Sequence, residues 1–180
     1  DPSGTTDTAS YNVALGTTAL DAITSGDNNS AIGYNALTAH TTGGYNTAVG
    51  SGALTTNTTA SKNTAVGYNA LTANTSASYN TAIGYTALDS NTTGEYNTAV
   101  GWNTLTANTE TSNLNAFGAA ALTANTTGGD NVAVGSNSLT TNTEGDNNTA
   151  IGNNSLRYNT TGSENVAVGK SALGANTTAA

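Results

Sequence analysis

One pattern of apolar and polar residues recurs along almost the whole chain with a period of 17 residues. It is clear in the stretch NTAVGYNALTANT (63–75), where an aliphatic residue comes directly before a glycine and a leucine follows that glycine four positions later. A short, fixed period predicts a solenoid, in which each unit buries its apolar side against the next unit. The glycine marks ten repeats without insertion or deletion: Gly16, Gly33, Gly50, Gly67, Gly84, Gly101, Gly118, Gly135, Gly152 and Gly169.

Two short segments alternate within each repeat, one similar to NTAVG and the other to ALTAN. Val, Ile and Thr favour extended backbone, whereas Asn and Gly favour turns and give poor helices. Because side chains alternate along a strand, we expect Val66 and Leu71 to point into the core and Ala65 to point outward. The sequence therefore predicts an all-β fold: a flattened parallel β-solenoid of ten 17-residue coils with two short strands per coil. We expect this array to span residues 11–180, after a lead-in of residues 1–10.

Two positions of the repeat are typical of turns. The recurring glycine is expected at a corner that needs a positive φ or a close backbone approach. Seven positions after it comes an asparagine in eight repeats, and stacked asparagines can hydrogen-bond along the stack as a ladder. The expected ladder consists of Asn57, Asn74, Asn91, Asn108, Asn125, Asn142, Asn159 and Asn176.

An alanine precedes the aliphatic residue in all ten repeats, for example Ala65 before Val66. A solvent-facing position should vary, so a small residue kept at an outward position indicates that another surface packs closely against it. We therefore expect lateral association between chains, either as a homotrimer or within a filament.

The phrase NTAVGYNAL resembles the SVAIGxxSxA repeat in the heads of trimeric autotransporter adhesins of the YadA type, and NTAVGxxAL arrays in proteins that resemble phage tail fibres. The resemblance covers the chain from about Tyr11 onward. It implies a left-handed parallel β-roll, three chains side by side, and a role as an extracellular stalk or adhesive head. It also implies that Val66 and its equivalents lie in the core and Gly67 and its equivalents at the corner. The 17-residue period is longer than that of the adhesin head repeats, and no neck, coiled coil or membrane anchor is recognisable.

Charge narrows the classes of partner. The net charge is −8, and the chain has only three basic residues, Lys62, Arg157 and Lys170. No basic stripe exists to displace counterions from a nucleic acid, and no apolar run is long enough to cross a membrane. We expect neither nucleic-acid binding nor membrane insertion.

Reactive groups are scarce. His40 is the single histidine and cysteine is absent, so neither a thiol nucleophile pair nor a zinc site can be assembled. Acids such as Asp27, Glu95 and Asp146 recur irregularly at one turn position, which favours solvated turn charges over bound calcium. The sequence predicts no catalytic residue, no metal site, no cofactor and no enzyme activity.

Three surface features remain open. Asn-x-Ser/Thr triplets make N-glycosylation chemically possible, although the ladder explains the recurring Asn-Thr pair better, because Glu110 and Glu144 destroy two triplets and leave that pair intact. Exposed aromatic residues could contact a glycan or a surface, or pack between chains. A threonine slot could bind ice, although Arg157 interrupts it. The triplets that share their asparagine with the ladder are at Asn57, Asn74, Asn91, Asn125, Asn159 and Asn176. The aromatic candidates for surface binding are Tyr34, Tyr68, Tyr85 and Trp102. The threonines of the possible ice-binding slot are Thr38, Thr55, Thr72, Thr106, Thr123 and Thr140.

We therefore expect a non-enzymatic structural segment of an extracellular fibre, filament or adhesin stalk, located outside the cell or on a cell or virion surface. The alternative is an adhesive module that binds glycans or a surface. An ice-binding solenoid is a weaker alternative.

Overall fold

The computed structural model describes residues 9–179, and it confirms the all-β solenoid. The described chain contains ten parallel strands and no helix, joined in chain order into a single sheet. Each strand pairs with the next in register, so that Thr64, Ala65 and Val66 lie beside Thr81, Ala82 and Ile83. The strands are β1 (Val13–Leu15), β2 (Ser30–Ile32), β3 (Thr47–Val49), β4 (Thr64–Val66), β5 (Thr81–Ile83), β6 (Thr98–Val100), β7 (Asn115–Phe117), β8 (Val132–Val134), β9 (Thr149–Ile151) and β10 (Val166–Val168).

The prediction of two strands per coil is wrong, because each repeat contributes one strand and the ALTAN segment forms turns. Asn69, directly before that segment, and Leu71 within it have φ values of 51° and 53°, in the left-handed region. The amide of Leu71 nevertheless donates to the carbonyl of Ala87 in the next coil at 3.0 Å. Alternating left-handed residues therefore keep the backbone N–H and C=O groups directed along the stack while the chain bends. These groups make hydrogen bonds to the next coil although the segment is not a strand.

The predicted orientation of the strand is also wrong. Ala65 is fully buried, whereas Val66 is partly exposed and the equivalent Ile83 exposes 39% of its surface. The strand lies directly against the buried Leu71 side of the thin coil, and only a methyl group fits between the two layers. Core packing thus explains the recurring alanine. Because this alanine points inward, it gives no support to lateral association between chains.

The core is a narrow spine of alanine and leucine along the stack. In most coils it contains the strand alanine and two residues of the opposite segment, such as Ala70 and Leu71, all fully buried. Leucine occupies a left-handed conformation in all ten repeats, with φ between 46° and 56°. This conformation costs about 1–2 kcal/mol for a residue with a β-carbon, and burying a leucine contributes about 1.5–3 kcal/mol in return.

The recurring glycine lies directly after each strand, at a corner that a side chain would block. All ten glycines have a positive φ, between 119° and 143°. A β-carbon on Gly67 would overlap the carbonyl oxygen of Gly84 in the next coil.

The expected lead-in of residues 1–10 and the end of the array at Ala180 lie largely outside the described residues, since residues 1–8 and 180 are not described.

Candidate functional site

The outward side of the sheet carries exposed and partly exposed apolar side chains along the whole solenoid. We call it the strand face, and it consists of two columns of side chains, one on each side of the buried alanine. The aliphatic column contains nine aliphatic residues and one phenylalanine: Leu15, Ile32, Val49, Val66, Ile83, Val100, Phe117, Val134, Ile151 and Val168. The threonine column contains Val13, Ser30, Thr47, Thr64, Thr81, Thr98, Asn115, Val132, Thr149 and Val166. Neither column contains a charged residue.

Aromatic residues flank the strand face on both sides. The corner aromatic column, one residue after the glycine, contains the predicted candidates Tyr34, Tyr68, Tyr85 and Trp102, and all four are about half exposed. The leading aromatic column, two residues before each strand, contains Tyr11, Tyr45, Tyr79 and Tyr96, which are also exposed.

One pair of neighbouring rings stacks in each aromatic column. The ring centroids of Tyr68 and Tyr85 are 5.2 Å apart, and those of Tyr79 and Tyr96 are 4.9 Å apart. Lys62 shares the leading column, and its Nζ lies 4.8 Å from the Tyr79 ring centroid and 3.0 Å from the Tyr79 hydroxyl. Much of each aromatic face is therefore turned along the stack, toward a neighbouring coil of the same chain.

The predicted asparagines form side-chain hydrogen bonds along part of the stack. The Nδ2 of Asn108 donates to Oδ1 of Asn91 at 2.9 Å, and Nδ2 of Asn159 donates to Oδ1 of Asn142 at 2.8 Å. The series is interrupted between Asn108 and Asn125, where Oδ1 of Asn108 is buried without a partner. The Nδ2 of every asparagine in the column also donates to the carbonyl three residues later: Asn57, Asn74, Asn91, Asn108, Asn125, Asn142, Asn159 and Asn176.

A second buried asparagine column, which was not predicted from the sequence, lies directly before the strand. The Oδ1 of Asn63, for example, accepts the backbone amide of Asn80 at 2.8 Å. The signal was present, because asparagine occupies this position in nine of ten repeats and Leu114 is the exception. The other members are Asn12, Asn29, Asn46, Asn97, Asn131, Asn148 and Asn165. Two amides per coil therefore hold the long turn that closes the solenoid.

Burial argues against N-glycosylation at most of the predicted triplets. Asn57, Asn74, Asn91, Asn125 and Asn159 are fully buried, and their Nδ2 atoms make the hydrogen bonds described above. A glycan is attached through Nδ2, so it cannot be accommodated at these five positions in the folded solenoid. Asn176, in the last coil, is only partly buried.

His40 is buried in the asparagine column, in the place of an asparagine. Its Nε2 lies 2.6 Å from the carbonyl oxygen of Gly43, the acceptor that an asparagine would use, and its Nδ1 has no partner. Burial lowers the pKa of His40 from its usual value, partly offset by the hydrogen bond to Gly43. The histidine therefore takes the place of an amide in the turn.

Other chemistry-bearing groups are dispersed in the described residues. No group of three or more histidines, aspartates and glutamates there could hold a metal ion. Burial raises the pKa of Asp89, partly offset by a hydrogen bond from Ser90. A cavity of about 240 Å³ near the last two coils is lined by Asn154, Arg157, Tyr158, Ser171, Gly174 and Ala175.

The threonine slot considered for ice binding directs its hydroxyls to the protein itself. The Oγ1 of Thr72 donates to the carbonyl of Gly52 at 2.6 Å, and that of Thr123 donates to Asn103 at 3.0 Å. Hydroxyls used in this way are not free to order a layer of water. In the threonine column of the strand face, by contrast, the hydroxyls of Thr64 and Thr81 have no partner in the described chain.

No helix in the part of the chain described here is long and apolar enough to cross a membrane. No protein-family model matches the chain, and the comparisons with curated proteins and with solved structures likewise find no match.

Proposed function

We propose that this chain is a non-enzymatic structural segment of an extracellular fibre, filament or stalk, displayed outside the cell or on a cell or virion surface. The observation that carries the proposal is the uniform stack: every strand from β1 to β10 pairs in register with its neighbour. A stack of this kind lengthens by a fixed step with each repeat and has no hinge in its strand ladder. A stalk needs both properties.

The turns support the same function, because they are tied from coil to coil. The backbone ladder of the strands continues through the turn segment, where Ala73 donates to the carbonyl of Asp89 at 3.0 Å. Two buried asparagine columns fix the opposite turn, with Asn80 donating to Gly94 at 2.8 Å. Bending the rod would break hydrogen bonds on every side of the coil, so the segment acts as a stiff spacer.

The length of the rod tests the spacer function. We expect a variant carrying three additional copies of residues 63–79 to be about 14 Å longer, at ~4.8 Å per coil, with an unchanged cross-section in small-angle X-ray scattering. A matched variant with 51 residues of Gly-Ser linker at the same site should show a flexible, broadened distance distribution instead. Equal behaviour of the two variants would contradict the proposal.

Glycan binding is a second candidate, favoured by the exposed aromatic columns. Aromatic rings stack on the apolar faces of sugars, and Trp102 exposes 56% of its surface beside the strand face. The test is binding to a glycan array by the unmodified chain and by a Tyr68→Ala/Trp102→Ala variant. Binding that the double substitution abolishes would support an adhesive role, whereas no binding by the unmodified chain would exclude it for the glycans on the array.

A further inference from the structure

The two columns of the strand face differ in a way that exposure to water does not explain. The aliphatic column is apolar in all ten coils, whereas the threonine column is polar in seven. Threonine is β-branched and forms strands as readily as valine does, so strand propensity alone would allow it in both columns. Neither column packs in the core of its own chain. The apolar column therefore indicates a surface that another molecule covers.

We propose that the strand face packs against the strand face of a second copy of this chain, with the two solenoids parallel, in register and related by a two-fold axis along the stack. This inference deepens the proposed fibre function by naming the partner in lateral association. It places the threonine column of each copy over the aliphatic column of the other, so that Thr81 faces Ile83 of the second copy.

The area of the face is sufficient for a stable pair. Together with the two aromatic columns that flank it, the strand face is at most roughly 20 Å wide and 48 Å long, or about 950 Å² per copy at standard strand spacings, compared with about 800 Å² per partner in a typical stable interface. Two acidic chains can approach in this way because most acids lie outside this surface: the strand face and the corner aromatic column contain none, and the leading column contains only Asp130 and Glu164. Two sheets packed face to face are also a common way of burying exposed sheet faces.

Charge complementarity favours the parallel arrangement. A two-fold axis along the stack brings the leading column of one copy opposite the corner column of the other at the same coil. In the last coil these positions are Glu164 and Lys170, both exposed and without an ion pair in their own chain. The symmetry makes two such pairs per dimer. An antiparallel pair would instead place Glu164 opposite Tyr11 and Lys170 opposite Thr17.

The shape of the face favours two copies over the three that the adhesin resemblance implies. The bulkiest side chains, such as Tyr79 and Trp102, belong to the aromatic columns at its borders, and the smaller side chains of the strand face lie between them. Three flat faces around a common axis converge at their borders, where the space is smallest. Two parallel sheets about 10 Å apart leave the same gap across the whole face.

Sedimentation velocity of the purified chain tests the partner. We expect a species of twice the 17.7 kDa chain mass, and at least about tenfold weaker association in a Val66→Asp/Ile83→Asp variant, because each dimer would bury four like charges. Thr93→Glu is the matched control: Thr93 is an exposed turn residue at the position that Glu110 and Glu144 occupy in other coils, and its substitution should not change association. Val66→Thr/Ile83→Thr keeps strand propensity and should weaken association while circular dichroism remains unchanged.

Charge reversal and crosslinking test the register. Glu164→Lys and Lys170→Glu should each weaken association about threefold or more, and the double reversal should restore it. The chain has no cysteine, so a short bismaleimide should join a Ser136→Cys chain to an Asp130→Cys chain, but not to a Ser51→Cys chain, which it would reach only in an antiparallel pair.

Three results would overturn the proposal: a monomer at all concentrations, a trimer, or the antiparallel crosslink. The rod-length experiment can succeed or fail independently of these results, because a monomeric solenoid would still lengthen by one step per coil.

Discussion

The side chains of Asn80 and Asn91, from the two buried asparagine columns, donate to the same acceptor. Their Nδ2 atoms lie 2.8 Å and 2.9 Å from the carbonyl oxygen of Gly94. The Gly94 carbonyl, which lies outside the strands, thereby receives a donor for each of its two lone pairs. The same double contact recurs at Thr111, where Asn97 and Asn108 converge. The long turn of the coil is thus held by side chains that the repeat supplies twice.

Replacing one of these amides should destabilise the stack. Asn91→Asp removes both Nδ2 donors and places a carboxylate in a buried site, so we expect a loss of at least about 1–3 kcal/mol in the free energy of unfolding. Asn113→Asp is the matched control, because Asn113 is exposed and the equivalent residue of the next coil is Asp130; it should change stability by less than about 0.5 kcal/mol. Urea unfolding followed by circular dichroism measures both. Equal losses would show that the buried amides do not hold the turn.

The corner glycine should tolerate no side chain. Gly67→Ala combines an unfavourable φ of 138° with overlap against backbone of the next coil, and we expect a loss of about 2 kcal/mol or more. Gly52→Asn provides the comparison: Gly52 has a φ of 75°, all nine other coils hold a non-glycine residue there, such as Asn69 with φ 51°, and the atoms nearest to an added β-carbon belong to side chains that can move rather than to backbone. That substitution should be nearly neutral in thermal unfolding. A neutral Gly67→Ala would contradict the close stacking of the corners.

Substitutions in one strand test which of its side chains is buried. Ala65→Val overfills the layer between strand and turn segment and should cost about 1–3 kcal/mol. Val66→Ala removes a partly exposed side chain and should cost less than about 1 kcal/mol, mainly through strand propensity. The midpoints of urea unfolding rank the two. The opposite order would restore the orientation expected from sequence.

The period predicted the stack and the place of its corners, because a constant 17-residue step allows like residues to lie over like. The orientation of the strand could not be predicted in the same way. Val66 is the larger apolar residue and was assigned to the core, but the thickness of the coil, which is a property of the whole fold, leaves room only for Ala65. The left-handed conformation of Leu71 could not be predicted from the sequence either, because it opposes local propensity and depends on hydrogen bonds to the next coil. The second asparagine column was visible in the sequence and was overlooked.

His40→Asn should remove a pH dependence. Because burial lowers the pKa of His40, the folded chain binds fewer protons than the unfolded chain below the usual histidine pKa of about 6.5. The free energy of unfolding should therefore fall as the pH drops through that value and below it, and be fully retained above it. His40→Asn restores the amide and should flatten this part of the profile.

Thermal unfolding between pH 7.5 and 5 compares the two proteins. Every other ionisable residue is common to both proteins, so its effect cancels in the difference. A pH-independent difference between the two profiles would contradict a buried, neutral imidazole.

The vertical stacking of the coils is the central claim, and distances between spin labels on equivalent turn residues measure it most directly. Double electron–electron resonance would compare Thr42→Cys/Glu110→Cys, four repeats apart, with Thr42→Cys/Thr161→Cys, seven repeats apart. At ~4.8 Å per coil, the account predicts mean distances of about 19 Å and 34 Å with narrow distributions. Broad distributions, or distances that do not increase by about 5 Å per repeat, would contradict it.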